Sequence, residues 1–96
     1  MPDARTDFPW NWAHVTETVL VKEGGGALHT IVINYLDDWG TVVVYDGIDN
    51  TGAVIGIIST ALTQPVTLIY DLKIATGIYL EVLGQEVIAS LTVTYI

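Results

Sequence analysis

Two histidines (His14 and His29), two serines (Ser59 and Ser90) and eleven carboxylates are the groups from which this 96-residue chain could assemble a catalytic centre. Nucleophilic catalysis needs a nucleophile, a base and an orienting group that converge in space. Ser90 falls on the polar side of an alternating stretch, an ordinary place for a serine. His29 alternates with Ile31 and Ile33, which reads as a hydrogen-bonded residue on a largely apolar face. Neither serine lies in a G-x-S-x-G turn. A glycosidase needs two carboxyls facing a cleft at a set separation. Here most acidic residues lie at strand ends and turns, where aspartate serves the backbone. No residue is therefore assigned as catalytic, and the chain is expected not to be an enzyme.

The loop Asp46-Gly47-Ile48-Asp49-Asn50 offers oxygen ligands of the kind calcium takes. It lacks the spacing and the closing glutamate of an EF-hand, so a plain turn is expected. The chain has no cysteine and hence no thiolate zinc site. Neither a metal nor a cofactor is expected. Gly24-Gly25-Gly26 is followed by no Lys-Ser/Thr and reads as a hairpin turn rather than a phosphate cradle. Trp39 beside Asp37 and Asp38 could act as an aromatic platform with polar hooks for a sugar, with Asp46, Asp49 and Asn50 nearby in sequence. Phe8, Pro9, Trp10 and Trp12 crowd three large aromatics around a proline. Such residues bury much area and are enriched at binding hot spots, so this group is the candidate anchor on a partner.

The elements that must position these residues are strands. Pro9 lacks an N–H and favours an extended residue before it, so residues 1–13 are expected to form an extended N-terminal arm. From 14 to 96 the chain runs as short Val/Ile/Thr/Tyr-rich segments at about 14–22, 27–35, 41–45, 53–60, 66–74, 78–83 and 87–95. Turn residues separate them. The last has the cleanest period of two, with Val87, Ala89, Leu91, Val93 and Tyr95 on one side and Ser90, Thr92 and Thr94 on the other. No window sustains a helical period. The expected fold is all-β, an antiparallel β-sandwich of seven to eight strands, jelly-roll-like or Greek-key.

Composition then bears on function. Hydrophobic residues make up 51% of the chain and charged ones 15%, and the mean hydropathy is +0.51. A domain of this size buries about 60–70% of the surface its unfolded chain exposes, so the apolar surplus is expected to be covered by partners. The segment near 28–35 and the Val42-Val43-Val44 run are apolar on both sides, where a sheet with one solvated face should alternate. Leu28, Val32, Val42 and Val44 are the candidate oligomer interface, and a homo-oligomer is the expected state. Three basic residues against eleven acidic give a net charge of −8, which argues against direct nucleic-acid binding. No run reaches the roughly 20 apolar residues of a spanning helix, and the strands are too short for a membrane barrel. No secretion signal is expected from the polar start at Pro2, Asp3, Arg5 and Asp7.

One ordered set of segments carries a family resemblance. Leu28-His29-Thr30-Ile31-Val32-Ile33-Asn34, Gly40-Thr41-Val42-Val43-Val44-Tyr45-Asp46, Thr51-Gly52-Ala53-Val54-Ile55-Gly56, Pro65-Val66-Thr67-Leu68-Ile69-Tyr70-Asp71 and Thr76-Gly77-Ile78 resemble small virion proteins of tailed bacteriophages, over roughly residues 28–96. The resemblance implies a β-sandwich component of the particle, such as a capsid decoration (cement) protein. It transfers no catalytic residues and does not include the aromatic arm. The expectation is a trimer on the virion capsid surface that bridges major capsid protein subunits. A carbohydrate-binding jelly-roll module is the alternative, and a tail or fibre component a third.

Overall fold

The computed structural model describes residues 10–59 and 65–96. It contains eight strands: β1 (Asn11–Val15), β2 (Val19–Glu23), β3 (Gly26–Leu36), β4 (Thr41–Asp46), β5 (Ala53–Ser59), β6 (Val66–Ile74), β7 (Gly77–Leu83) and β8 (Ala89–Tyr95). They form two antiparallel four-stranded sheets, β1-β8-β3-β6 and β2-β7-β4-β5. The pairs β1/β8, β2/β7, β3/β6 and β4/β5 nest inside one another. A long hairpin with β1–β4 in one arm and β5–β8 in the other, rolled so that successive pairs alternate between sheets, has this connectivity. It is the jelly roll.

Between the sheets lies one apolar core. Leu28, Ile31 and Ile33 of β3 and Leu91 and Val93 of β8 meet Val42 and Val44 of β4, Ile58 of β5 and Ile78 and Leu80 of β7. Each such side chain, once withdrawn from water, stabilises the fold by about 1.5–3 kcal/mol before ordering costs. Among the described residues every buried side-chain nitrogen or oxygen has a hydrogen-bond partner.

Four sequence expectations need correction. The segment 14–22 is two strands in different sheets, parted by a bend at Thr16-Glu17-Thr18. Glu17 interrupts the apolar side because the chain there is leaving one sheet for the other. The sandwich begins at Asn11 rather than at 14, since Trp12 and Ala13 pair with Thr94 and Val93. The triple glycine closes no hairpin: β2 and β3 lie in different sheets, and Gly24-Gly25 carries the chain between layers.

The fourth correction concerns the proposed interface. Leu28, Val42 and Val44 are fully buried in the sandwich interior and cannot meet a partner. Leu28 and Val32 were expected on one side of a regular strand. The β3–β8 register instead steps from Leu28↔Tyr95 to Thr30↔Thr94, so His29 is an extra, bulged residue. A bulge reverses the inside–outside alternation beyond it. Leu28 thereby joins Ile31 and Ile33 inside, and Val32 stays half-buried on the outer side.

Candidate functional surfaces

Strand alternation turns Val43 and Tyr45 of β4 away from the core that holds Val42 and Val44. Their cross-strand partners share that outer side: Tyr79 and Glu81 of β7, Val54 and Ile57 of β5, and Leu20 of β2 through its pairing with Tyr79. Leu83, opposite Thr41, extends the row. The outer face of the β2-β7-β4-β5 sheet is thus apolar, with Ile57 68% and Val54 55% exposed. Its central carboxylate is held down. The Tyr45 hydroxyl donates to Glu81 Oε1 at 3.0 Å, and Asn50 Nδ2 donates to Oε2 at 3.1 Å. The Tyr45 and Tyr79 rings pack at 6.1 Å with a 55° tilt. Burial, then the Glu81 carboxylate, raises the Tyr45 pKa above the ordinary tyrosine value, so the phenol remains a donor. The run Val42-Val43-Val44 carried the signal for this face; which of its two sides pointed outward was not encoded locally.

The outer face of the other sheet is polar along its centre and apolar at its flanks, where Trp12, opposite Thr94, and Ile69, opposite Thr30, are 70% and 72% exposed. Ser90, Thr92 and Thr94 line β8, with Thr30, Val32 and Asn34 of β3 beside them. The Thr30 and Thr94 hydroxyls are 2.5 Å apart. His14 Nε2 lies 2.8 Å from Ser90 Oγ, and Asn34 Nδ2 donates to the same oxygen at 3.4 Å. An imidazole on a serine hydroxyl is the first half of a nucleophile–base pair. Here the serine sits in mid-strand on a sheet face and shares its hydroxyl with an amide. At the end of this face Trp10 stacks on His29, ring centroids 4.1 Å apart and planes 10° from parallel, while His29 Nδ1 bonds Asp71 Oδ1. Asp71 has φ +48° at the matching irregularity of β6. Of the aromatic group, Trp10 therefore packs on its own chain and Trp12 is exposed on β1. Phe8 and Pro9 lie outside the described residues.

The residues weighed as a sugar platform are divided. Asp37 is buried: its carboxylate accepts from the Ile88 N–H at 2.6 Å and the Tyr35 hydroxyl at 2.8 Å, fastening the β3–β4 loop to the segment before β8. Trp39 is 63% exposed, with its indole N–H donated to the Gln85 carbonyl at 3.1 Å. Asp38 is exposed beside it. At the same end of the sandwich an open cavity of about 330 Å³ is lined by Thr16, Glu17, Thr18, Val82, Gly84 and Val87. Asp46, Asp49 and Asn50 are not part of this end. They follow β4 whereas Trp39 precedes it, which separates them by about 17 Å of strand.

Asp46 has a structural task. Its carboxylate accepts backbone N–H groups from Ala75 at 3.0 Å, Thr76 at 2.8 Å and Gly77 at 3.3 Å, pinning the β6–β7 turn to the end of β4. Those bonds hold its pKa below the ordinary 3.8. A depressed folded-state pKa contributes stability that is full above the unfolded value and is lost as pH falls through the folded one. Asp46→Asn is therefore expected to lower stability at pH 7 by about 1–2 kcal/mol. It is also expected to flatten the decline of stability below pH 4, as read by urea unfolding across pH. Asp49 makes a local Asx-type turn through Thr51. Among the described residues no group of three or more His, Cys, Asp or Glu is placed to hold a metal.

Comparison of the chain with protein-family models, with curated proteins and with solved structures returned no match.

Proposed function

We propose that the chain is a virion structural protein, a capsid decoration subunit that self-associates into a small closed homo-oligomer and bridges major capsid subunits. One observation carries this reading: a 96-residue domain that completes an apolar core also presents a second apolar surface, on the outside of β2-β7-β4-β5. Large exposed apolar surfaces mark places where partners pack. The jelly-roll topology and the phage resemblance of residues 28–96 agree with that role. The action is mechanical, since each contact that covers apolar area contributes about 25 cal/mol per Å² before ordering costs. A net charge of −8 suits a particle exterior that must not trap nucleic acid.

The test is the native mass of the purified protein by sedimentation, alone and with particles. The expected result is a small closed oligomer that binds particles in many copies and raises their resistance to heat. A monomer at all concentrations that ignores particles removes the reading. A copy number of a few per particle shifts it to a tail or fibre component.

The exposed, tethered Trp39 favours a second reading, a carbohydrate-binding module. Its indole face is presented on a fastened loop beside the 330 Å³ cavity, and an aromatic plane with nearby polar groups suits a sugar ring. Saturable quenching of tryptophan fluorescence by a sugar, abolished in Trp39→Ala, is the result that selects it.

A further inference from the structure

The four edge strands of the sandwich are not equally protected. An edge strand offers unpaired N–H and C=O groups to any strand that meets it, and soluble proteins blunt such edges by shortness, charge, proline or a bulge. β1 and β2 are five residues each, and β2 adds Lys22, Glu23 and a register break between Leu20 and Lys22. β6 is longer but carries Asp71, Lys73 and an irregularity at the positive φ of Asp71. β5 reads Ala53-Val54-Ile55-Gly56-Ile57-Ile58-Ser59, with neither a charge nor a proline. Its irregularity falls at Ile55, so Gly56–Ser59 runs regularly beside β4. Among the described residues only β4 pairs with it.

We propose that β5 is the edge on which a second copy of this chain pairs, antiparallel, joining the two β2-β7-β4-β5 sheets into one. The inference rests on the self-association proposed above and names the strand that performs it. Two arguments select a second copy as the occupant. Two chains of charge −8 repel, so they approach most cheaply along a line without charge, and β5 is neutral from end to end. Across a two-fold axis a strand meets itself, and a neutral apolar strand does so without placing like charges opposite each other. The pairing also brings Val54 and Ile57 of both copies together on the same outer side, continuing the apolar face across the junction.

Edge pairing and packing of sheet faces leave different marks on the backbone. Outward amides of an edge strand exchange with solvent freely until another strand accepts from them, whereas face packing covers side chains and leaves them open. Hydrogen exchange on the full chain is therefore compared at dilute and at assembling concentrations. The expected result is slowing by about tenfold or more within residues 56–59 on assembly, with β1 and β2 unchanged. Ile57→Lys, at a solvent-exposed position that tolerates the change, is expected to weaken self-association about 100-fold. Leu20→Lys, on the opposite edge of the same sheet, is expected to leave it intact. An oligomer whose β5 amides exchange as in dilute solution, or one broken by Leu20→Lys and not by Ile57→Lys, overturns the edge inference and leaves self-association standing. A chain that stays monomeric at every concentration overturns both.

Discussion

Leu28→Ala is expected to destabilise the domain by about 3 kcal/mol in equilibrium urea unfolding, and Val32→Ala by less than about 1 kcal/mol. The two residues are four apart, and on an unbroken strand they share a face and pay similar penalties. In this fold Leu28 is fully buried in the sandwich interior and Val32 is half-buried on its outer side. Truncating Leu28 removes buried methyl groups and leaves a cavity between rigid sheets that closes only in part. Truncating Val32 leaves space that water can fill. Against a typical total of about 5–15 kcal/mol, the Leu28 loss is a large fraction of the stability. Equal losses at the two sites show that the bulge at His29 does not operate in solution.

That bulge also marks how far the sequence could be read. Each strand announces itself through β-branched residues between turn residues, and β8 through an unbroken alternation from Ala89 to Tyr95. The splitting of residues 14–22 into β1 and β2 was visible only as an acidic residue, Glu17, where an apolar one was due. Sheet membership was not visible, because whether a turn returns a strand to its neighbour or lifts it to the other layer depends on pairing partners some 60 residues away. The inward side of β4 shows the same limit. Val42, Val43 and Val44 look alike locally, and only the pairing of Val44 with Leu80, itself buried, assigns the faces. Of the interface residues chosen from sequence, Leu28, Val42 and Val44 therefore fell inside the sandwich, and Val32 on the outer side of the β1-β8-β3-β6 sheet. The aspartates divide likewise: Asp49 makes the local turn that its sequence neighbourhood suggests, whereas Asp46 and Asp37 reach across the fold to backbone groups at 75–77 and 88.

The two outer faces then suggest a division of labour on one scaffold. The β1-β8-β3-β6 face presents hydroxyls and an amide that bond one another along its centre, with Trp12 and Ile69 exposed at its flanks. The β2-β7-β4-β5 face presents Leu20, Val54 and Ile57 beside a Glu81 whose two oxygens accept hydrogen bonds from Tyr45 and Asn50. Holding the Glu81 oxygens on Tyr45 and Asn50 lowers the cost of covering that carboxylate. In Tyr45→Phe one carboxylate oxygen loses its donor, and burying the face against a partner becomes more costly.

The second large effect is expected at Gly26, where Gly26→Ala should cost at least about 3 kcal/mol by the same unfolding measurement. A β-carbon added there falls 1.9 Å from the Ile96 carbonyl oxygen and 2.9 Å from its carbon. Both are backbone atoms, held in place by the pairing of Ile96 with Ala27. Relief requires β3 and Ile96 to separate by more than about 1 Å on the scale of ordinary van der Waals contact. That movement breaks the reciprocal bonds of Ala27 N–H to Ile96 O at 3.0 Å and Ile96 N–H to Ala27 O at 2.9 Å. The preceding glycines supply internal controls. Gly24 has φ +93° and open space around it, so Gly24→Ala meets only backbone strain and should cost about 1 kcal/mol. Gly25→Ala brings its new carbon 3.1 Å from the Ile74 carbonyl oxygen, a tight contact that a small shift relieves. The three glycines look identical in sequence, and the order of their penalties measures how closely β3 is pressed against Ile96. If Gly26→Ala costs no more than Gly24→Ala, the triple glycine is a flexible connection and the close approach at Ile96 is not part of the folded state.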